Sequence, residues 1–138
     1  WNASYADWKN QLDKVTINED TILVGLSGGA YAILRYLGES GKEVKKVILV
    51  APGAPGFRSK GGQFPHVDEF YSYEITSKLQ DQIKQQVVIF VSNDDEFILQ
   101  SVEFYKNTLD ARVIEIKDMG HFSFLIPQFP ELLEEIMF

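Results

Sequence analysis

Apolar residues along the chain fall into two kinds of pattern. Four short runs carrying β-branched residues stand apart from one another: Thr21 to Val24, Val47 to Val50, Val87 to Val91 and Val113 to Ile116. The first three are nearly continuous, as expected of strands covered on both faces in a parallel sheet. The fourth, Val113-Ile114-Glu115-Ile116, half alternates and suits a sheet edge. Helical spacing fills the stretches around them. Trp1, Tyr5, Trp8 and Leu12 form one stripe, and Ala30 to Leu37 follows the first strand until Gly38 and Gly41 stop it. Phe97 to Leu109 follows the third strand, with Ile98, Val102, Tyr105 and Leu109 on one face. A last helix is predicted from Gln128 or Pro130 to the end, where a proline suits the first turn. Strands alternating with helices predict an α/β fold built on a mainly parallel sheet of about four strands.

The segment from about 52 to 86 departs from that rhythm. It opens with Pro52-Gly53-Ala54-Pro55-Gly56, a loop by composition, and continues through Phe57, Phe64, Phe70, Tyr71 and Tyr73. A helix is expected around Tyr73 to Lys84. Connections this long in small domains usually carry function, so the segment reads as a small lid over one end of the sheet.

Between the first strand and the helix after it lies Gly25-Leu26-Ser27-Gly28-Gly29, a G-x-S-x-G pattern. A nucleophile elbow requires a sharp strand-to-helix turn that raises the serine hydroxyl above the sheet edge, with small residues two before and two after it. Ser27 is therefore the candidate nucleophile, and the Gly28 N–H the candidate oxyanion donor near the positive end of the helix. The competing reading is a glycine-rich turn whose serine only caps the helix. A serine needs a base to take its proton. His121, in Asp118-Met119-Gly120-His121-Phe122, follows the last strand and so shares the sheet edge with Ser27. His66 lies in the lid without such a placement. Ser92-Asn93-Asp94-Asp95-Glu96 follows the third strand; Asp95 is the preferred carboxylate to orient the imidazole, with Asp94 as the alternative. Serine, aspartate and histidine in that order, each beyond a different parallel strand, is the α/β-hydrolase arrangement.

Composition narrows the remaining choices. The 138 residues suit one domain, residues 1–138, with a core that needs no staples. The absence of cysteine removes disulfides, thiolate zinc sites and cysteine nucleophiles, and with two histidines no metal site is expected. It also fits a reducing, cytoplasmic setting. A net charge of −7 with no basic cluster beyond Lys45-Lys46 argues against nucleic acid as a partner. Apolar runs are far too short for a membrane span. No G-x-G-x-x-G or G-x-x-x-x-G-K-[ST] loop is present to cradle a nucleotide.

The chain resembles the small serine hydrolases of the retinoblastoma-binding-protein-nine type, a branch of the α/β-hydrolase superfamily. The likeness runs from the Trp8 helix through Thr21-Ile22-Leu23-Val24-Gly25-Leu26-Ser27, Ala32-Ile33-Leu34-Arg35-Tyr36-Leu37 and Val47-Ile48-Leu49-Val50. It continues to Ser92-Asn93-Asp94-Asp95 and Gly120-His121-Phe122. It implies Ser27, Asp95 and His121 as triad and hydrolysis of small carboxylic esters or related acyl compounds through an acyl-enzyme, without cofactor. Leu26, Phe57 and Phe122 are the expected substrate contacts. Many members carry His where this chain has Leu26. The family also begins with a strand, a helix and a second strand, whose loop completes the oxyanion hole. This sequence is expected to start roughly 50 residues into such a domain. Thr21 to Val24 then becomes a sheet edge, to be covered by a second copy or by an N-terminal fragment. The rival to an active hydrolase is a protein-binding module on the same fold with a vestigial site.

Overall fold

The computed structural model describes residues 4–122 and 128–138. Its strands arise where the apolar runs predict them: β1 (Ile22–Leu26), β2 (Lys46–Val50), β3 (Val88–Ser92) and β4 (Arg112–Ile116). They form one parallel sheet in the order β1-β2-β3-β4. Parallel pairing brings all four carboxyl ends to one edge, which gathers the loops after each strand. Every residue of β2 and β3 is buried, as continuous apolar runs require. β1 differs. It is an edge of the sheet, and Val24 and Leu26 are 42% and 45% exposed. An uninterrupted apolar run therefore does not here mean cover on both faces, because an edge strand lacks one neighbour's side chains.

The helices are α1 (Tyr5–Leu12), α2 (Gly28–Ser40), α3 (Pro65–Phe70), α4 (Leu99–Leu109) and α5 (Pro130–Met137). In α1 the Ser4 hydroxyl accepts from the Asp7 N–H while the Asp7 carboxylate accepts from the Ser4 N–H, a reciprocal cap. Trp1 of the predicted stripe lies outside the described residues. α2 is buried continuously from Gly29 to Leu37, so it is apolar nearly all round, and it ends at Gly41 in the left-handed conformation. α5 is fastened to the sheet by Lys46, buried on β2. Its ammonium donates to the Glu135 carboxylate at 2.6 Å and the Glu135 carbonyl at 2.8 Å. Arg112 on β4 pairs with the same carboxylate.

The lid segment is docked, not loose. Arg35 donates to the carbonyls of Glu69 and Phe70 at 2.7 and 3.0 Å, and Phe70 is fully buried. The Tyr31 hydroxyl donates to the Tyr73 carbonyl, and Ser101 and Tyr105 on α4 donate to the carbonyls of Pro52 and Gly53. The helix expected over 73–84 is replaced by a 3₁₀ turn, Ser77–Gln82, within otherwise irregular chain. Ile75, Leu79 and Ile83 recur every four residues and are all buried, which imitates a helical face. The backbone instead bridges to Val44, whose N–H donates to Gln82 and whose carbonyl accepts from Lys84. Pairing with a neighbouring segment overrides the local periodicity. The short helix α3 carries no pattern long enough to predict it.

Candidate active site

β1 ends at Leu26 and α2 begins at Gly28, so the whole reversal falls on Ser27. Its backbone stands at φ 54° and ψ −118°, a state that costs about 1–3 kcal/mol for a residue with a side chain. Three hydrogen bonds hold it there. The Ser27 N–H donates to Val50 at 2.9 Å, and its carbonyl accepts from Gly53 at 2.9 Å and Ala30 at 3.1 Å. Gly25 is obligatory for the same turn: a Cβ there would lie 2.6 Å from Ala30 Cα and 2.7 Å from the Gly29 carbonyl. Both obstacles are backbone and cannot step aside.

The Ser27 hydroxyl makes no capping bond to α2, so the cap reading fails. It faces His121 Nε2 at 2.9 Å. On the far side of the ring, Nδ1 lies 2.7 Å from Asp95 Oδ2. With its proton on Nδ1, the imidazole donates to Asp95 and accepts from Ser27, the tautomer a general base requires. The Asp95 side chain is only 4% exposed whereas that of His121 is 47% exposed. A dry carboxylate therefore holds a ring that substrate and water can reach. Ser27 also sits at the N-terminal, positive end of α2.

Asp94 does something else. Its carboxylate accepts from the Ser92 hydroxyl and from the Gly120 N–H, the latter at 3.0 Å. The Ser92 hydroxyl and then the Gly120 amide hold that carboxyl below the usual aspartate value, although desolvation opposes them. Met119 N–H donates to Ser92 Oγ at 2.9 Å and Asp118 N–H to Asn93 Oδ1 at 2.8 Å. Consecutive side chains at the end of β3 and just beyond it, Ser92 to Asp94, thus bind consecutive amides of the loop that carries His121. Asp94 and Asp95, open alternatives in sequence, divide into a loop anchor and the histidine's partner. The Ser-Asn-Asp run beyond a strand was the only local signal for the anchors.

A pocket of about 350 Å³ opens beside Ser27, lined by Trp8, Leu26, Ser27, Gly28, Gly29 and Tyr71. Leu26, an expected substrate contact, lines this pocket, and Trp8 and Tyr71, which the sequence did not single out, line it too. Phe57 is half exposed with its ring 5.6 Å from Tyr71, outside the pocket lining. Phe122 is buried and stacks on Phe129 at 5.2 Å, so it packs the core instead of facing substrate. Its backbone stands at a positive φ of 49°. His66 stays in the lid with its ring edge-on to Phe64. Among the described residues no group of His, Asp or Glu is arranged to hold a metal, and no helix is long and apolar enough to cross a membrane.

Residues 1–125 match the profile of the family described as Serine hydrolase. The chain belongs to the serine hydrolase family. Solved structures similar to this serine hydrolase share the α/β-hydrolase fold. The ydeN gene product of B. subtilis superposes with a TM-score of 0.77 at 23% identity, covering 98% of this chain and 74% of that one. Est1E from Butyrivibrio proteoclasticus gives a TM-score of 0.61 at 15% identity, covering 97% of this chain and 68% of that one. Carboxylesterase CesB of Bacillus subtilis gives 0.58 at 15%, covering 96% and 64%. No curated protein matches the sequence. The four-stranded parallel sheet of this serine hydrolase, with its flanking helices, is thus the architecture the strand pattern predicted.

Proposed function

We propose that this serine hydrolase cleaves small carboxylic esters or related acyl compounds through an acyl-enzyme, in the manner of the small retinoblastoma-binding-protein-nine type. The observation that carries the reading is the unbroken relay from Ser27 Oγ through His121 to Asp95, at 2.9 and 2.7 Å. Ser27 Oγ attacks the acyl carbon while His121 Nε2 takes its proton, and the carbonyl π pair moves onto oxygen beside the Gly28 N–H. Collapse of that tetrahedral species expels the alcohol, which receives the proton from Nε2. Water then enters, gives its proton to Nε2, and attacks the acyl carbon; Ser27 leaves with that proton and the acid is released. Asp95 keeps the imidazole in its working tautomer and stabilises the imidazolium without itself being protonated. No step calls for a cofactor.

A pocket of this size accommodates a small acyl or aryl group, with Trp8, Leu26 and Tyr71 as its apolar walls. The resemblance to a carboxylesterase and to Est1E, which has been solved with ferulic acid bound, supports an ester substrate. A cytoplasmic site of action fits the lack of cysteine. The test is release of p-nitrophenol from acetyl, butyryl and benzoyl esters by the chain and by Ser27→Ala. Turnover that vanishes in the variant is the expected result, and equal rates for the two proteins would refute the reading.

A further inference from the structure

Trp8 and Tyr71, the two aromatic walls of the pocket beside Ser27, come from α1 and from the lid segment. A Cβ built on Gly29 would lie 3.3 Å from the Trp8 ring, and one built on Gly28 would lie 3.0 Å from the Tyr71 hydroxyl. The walls therefore close on the two residues that follow Ser27. We infer that Arg35, about two turns along α2 from the elbow, is the positioning residue that sets these walls relative to each other, and so the acyl groups the site prefers. The inference rests on the ester-hydrolase reading above and names what tunes its specificity.

Arg35 reaches both walls. Its Nη1 donates to the carbonyls of Glu69 and Phe70 at 2.7 and 3.0 Å, the two peptide groups that lead into Tyr71. Its guanidinium also lies over the Tyr5 ring, 3.7 Å from the centroid, and Tyr5 stands one turn before Trp8 on α1. Between the walls is Phe70, fully buried. Its ring meets those of Tyr5 and Trp8 edge-on, each at 6.1 Å, and that of Tyr71 at 4.9 Å. A shift of Phe70 would move both walls, and Arg35 holds the Phe70 main chain.

The chemistry of the side chain suits that task. Nε donates to the Glu39 carboxylate at 3.0 Å and Nη2 to the Glu69 carboxylate at 2.7 Å. With the two carbonyls, these bonds leave the planar fork in directions its geometry fixes, which the single nitrogen of a lysine cannot reproduce. The Arg35 side chain is only 10% exposed. A buried ion pair adds little stability over a well-packed apolar residue, because desolvation offsets its Coulombic gain. What an apolar residue could not supply is the fixed placement of the lid main chain against α1 and α2.

Arg35→Lys keeps the charge and the stem but loses the fork. On p-nitrophenyl benzoate and acetate the parent should favour the benzoyl ester through a lower KM. Arg35→Lys should lose that preference by about tenfold, with kcat on the acetyl ester within about threefold of the parent. A merely structural role would scale both esters alike, since it changes only the amount of folded enzyme; rates are therefore compared well below each thermal midpoint. Glu39→Gln leaves both lid carbonyls bonded and should keep the parent's preference. An equal loss there would credit the pairing along α2 instead of the hold on the lid, and would overturn the inference. If Arg35→Lys does not fold, Phe70→Leu decides by the same ratio, since it keeps Arg35 and removes the ring between the walls. A parent that does not distinguish the two esters, or a variant that holds their ratio within about twofold, sinks this inference alone. If the parent neither turns over ester nor reacts at Ser27, the hydrolase reading falls and takes this one with it.

Discussion

Two turns meet at the site, the elbow at 25–29 and the histidine loop at 117–122, and they hold strained backbone by different means. In the elbow a single residue, Ser27 at φ 54°, takes the strain, and its backbone is held by main-chain hydrogen bonds to Val50, Gly53 and Ala30. In the histidine loop Asp118, Gly120 and Phe122 all have positive φ, at 57°, 53° and 49°. There the amides of Asp118, Met119 and Gly120 are satisfied by the side chains of Asn93, Ser92 and Asp94. The elbow is a property of the sheet and of Gly25, and Ser27 cannot drift without unpairing strands. His121 is held by replaceable polar groups at and beyond the end of β3. The position of Ser27 should therefore be insensitive to changes outside its own turn, and that of His121 sensitive to them.

The largest effects should come where the two turns touch. Asp95→Asn keeps the shape but lets the amide favour the wrong imidazole tautomer, so kcat on a p-nitrophenyl ester should fall about 10⁴-fold with KM little changed. A loss below about tenfold would mean that His121 is oriented by something else. Next, Gly25→Ala forces a Cβ against immovable backbone and should destabilise the fold by about 3 kcal/mol in urea unfolding. A variant as stable as the parent would show that the elbow can relax. Asp94→Ala removes an anchor of the histidine loop without touching the elbow. Turnover should drop about tenfold, recover in Asp94→Asn, and leave the Ser27 backbone unchanged. Ser27→Gly should abolish turnover yet raise stability by about 1 kcal/mol, since glycine tolerates the strained φ and gives back part of the gain in unfolded-state entropy.

The smallest effect is one of pH. The folded Asp94 carboxyl lies below its ordinary value, so its contribution is present above the usual aspartate range and is lost as pH falls through the depressed value. Thermal midpoints measured from about pH 5 down to 2 should decline less steeply in Asp94→Ala than in the parent. Identical slopes would show that Asp94 anchors nothing.

The contrast between the turns also explains what the sequence made legible. Gly25, Ser27 and Gly29 announce the elbow because its restraints act on φ and on the absence of side chains, and both are written as residue type. The strands were legible as apolar runs, their ends within a few residues of those observed. Ser27, Asp95 and His121 were named from chain order, and the structure sets them side by side. The anchoring of Asp118, Met119 and Gly120 was not legible, since it joins a side chain to an amide some 25 residues away. The 3₁₀ turn at Ser77–Gln82 was misread for a related reason: Ile75, Leu79 and Ile83 have helical spacing, but a long-range bridge to Val44 decides the backbone. Phe122 looked like a substrate contact beside His121, yet its ring is buried and stacks on that of Phe129, a contact seven residues on that sequence does not reveal.

The central claim is that Ser27 is activated by His121 and Asp95. Reaction with a fluorophosphonate, followed by intact mass and peptide mapping, tests it most directly, because the reagent bonds only to a serine whose proton is taken. The account predicts one adduct, on Ser27, absent in Ser27→Ala and strongly slowed in His121→Ala. An adduct that persists in Ser27→Ala, or no adduct on the folded parent chain, would contradict it.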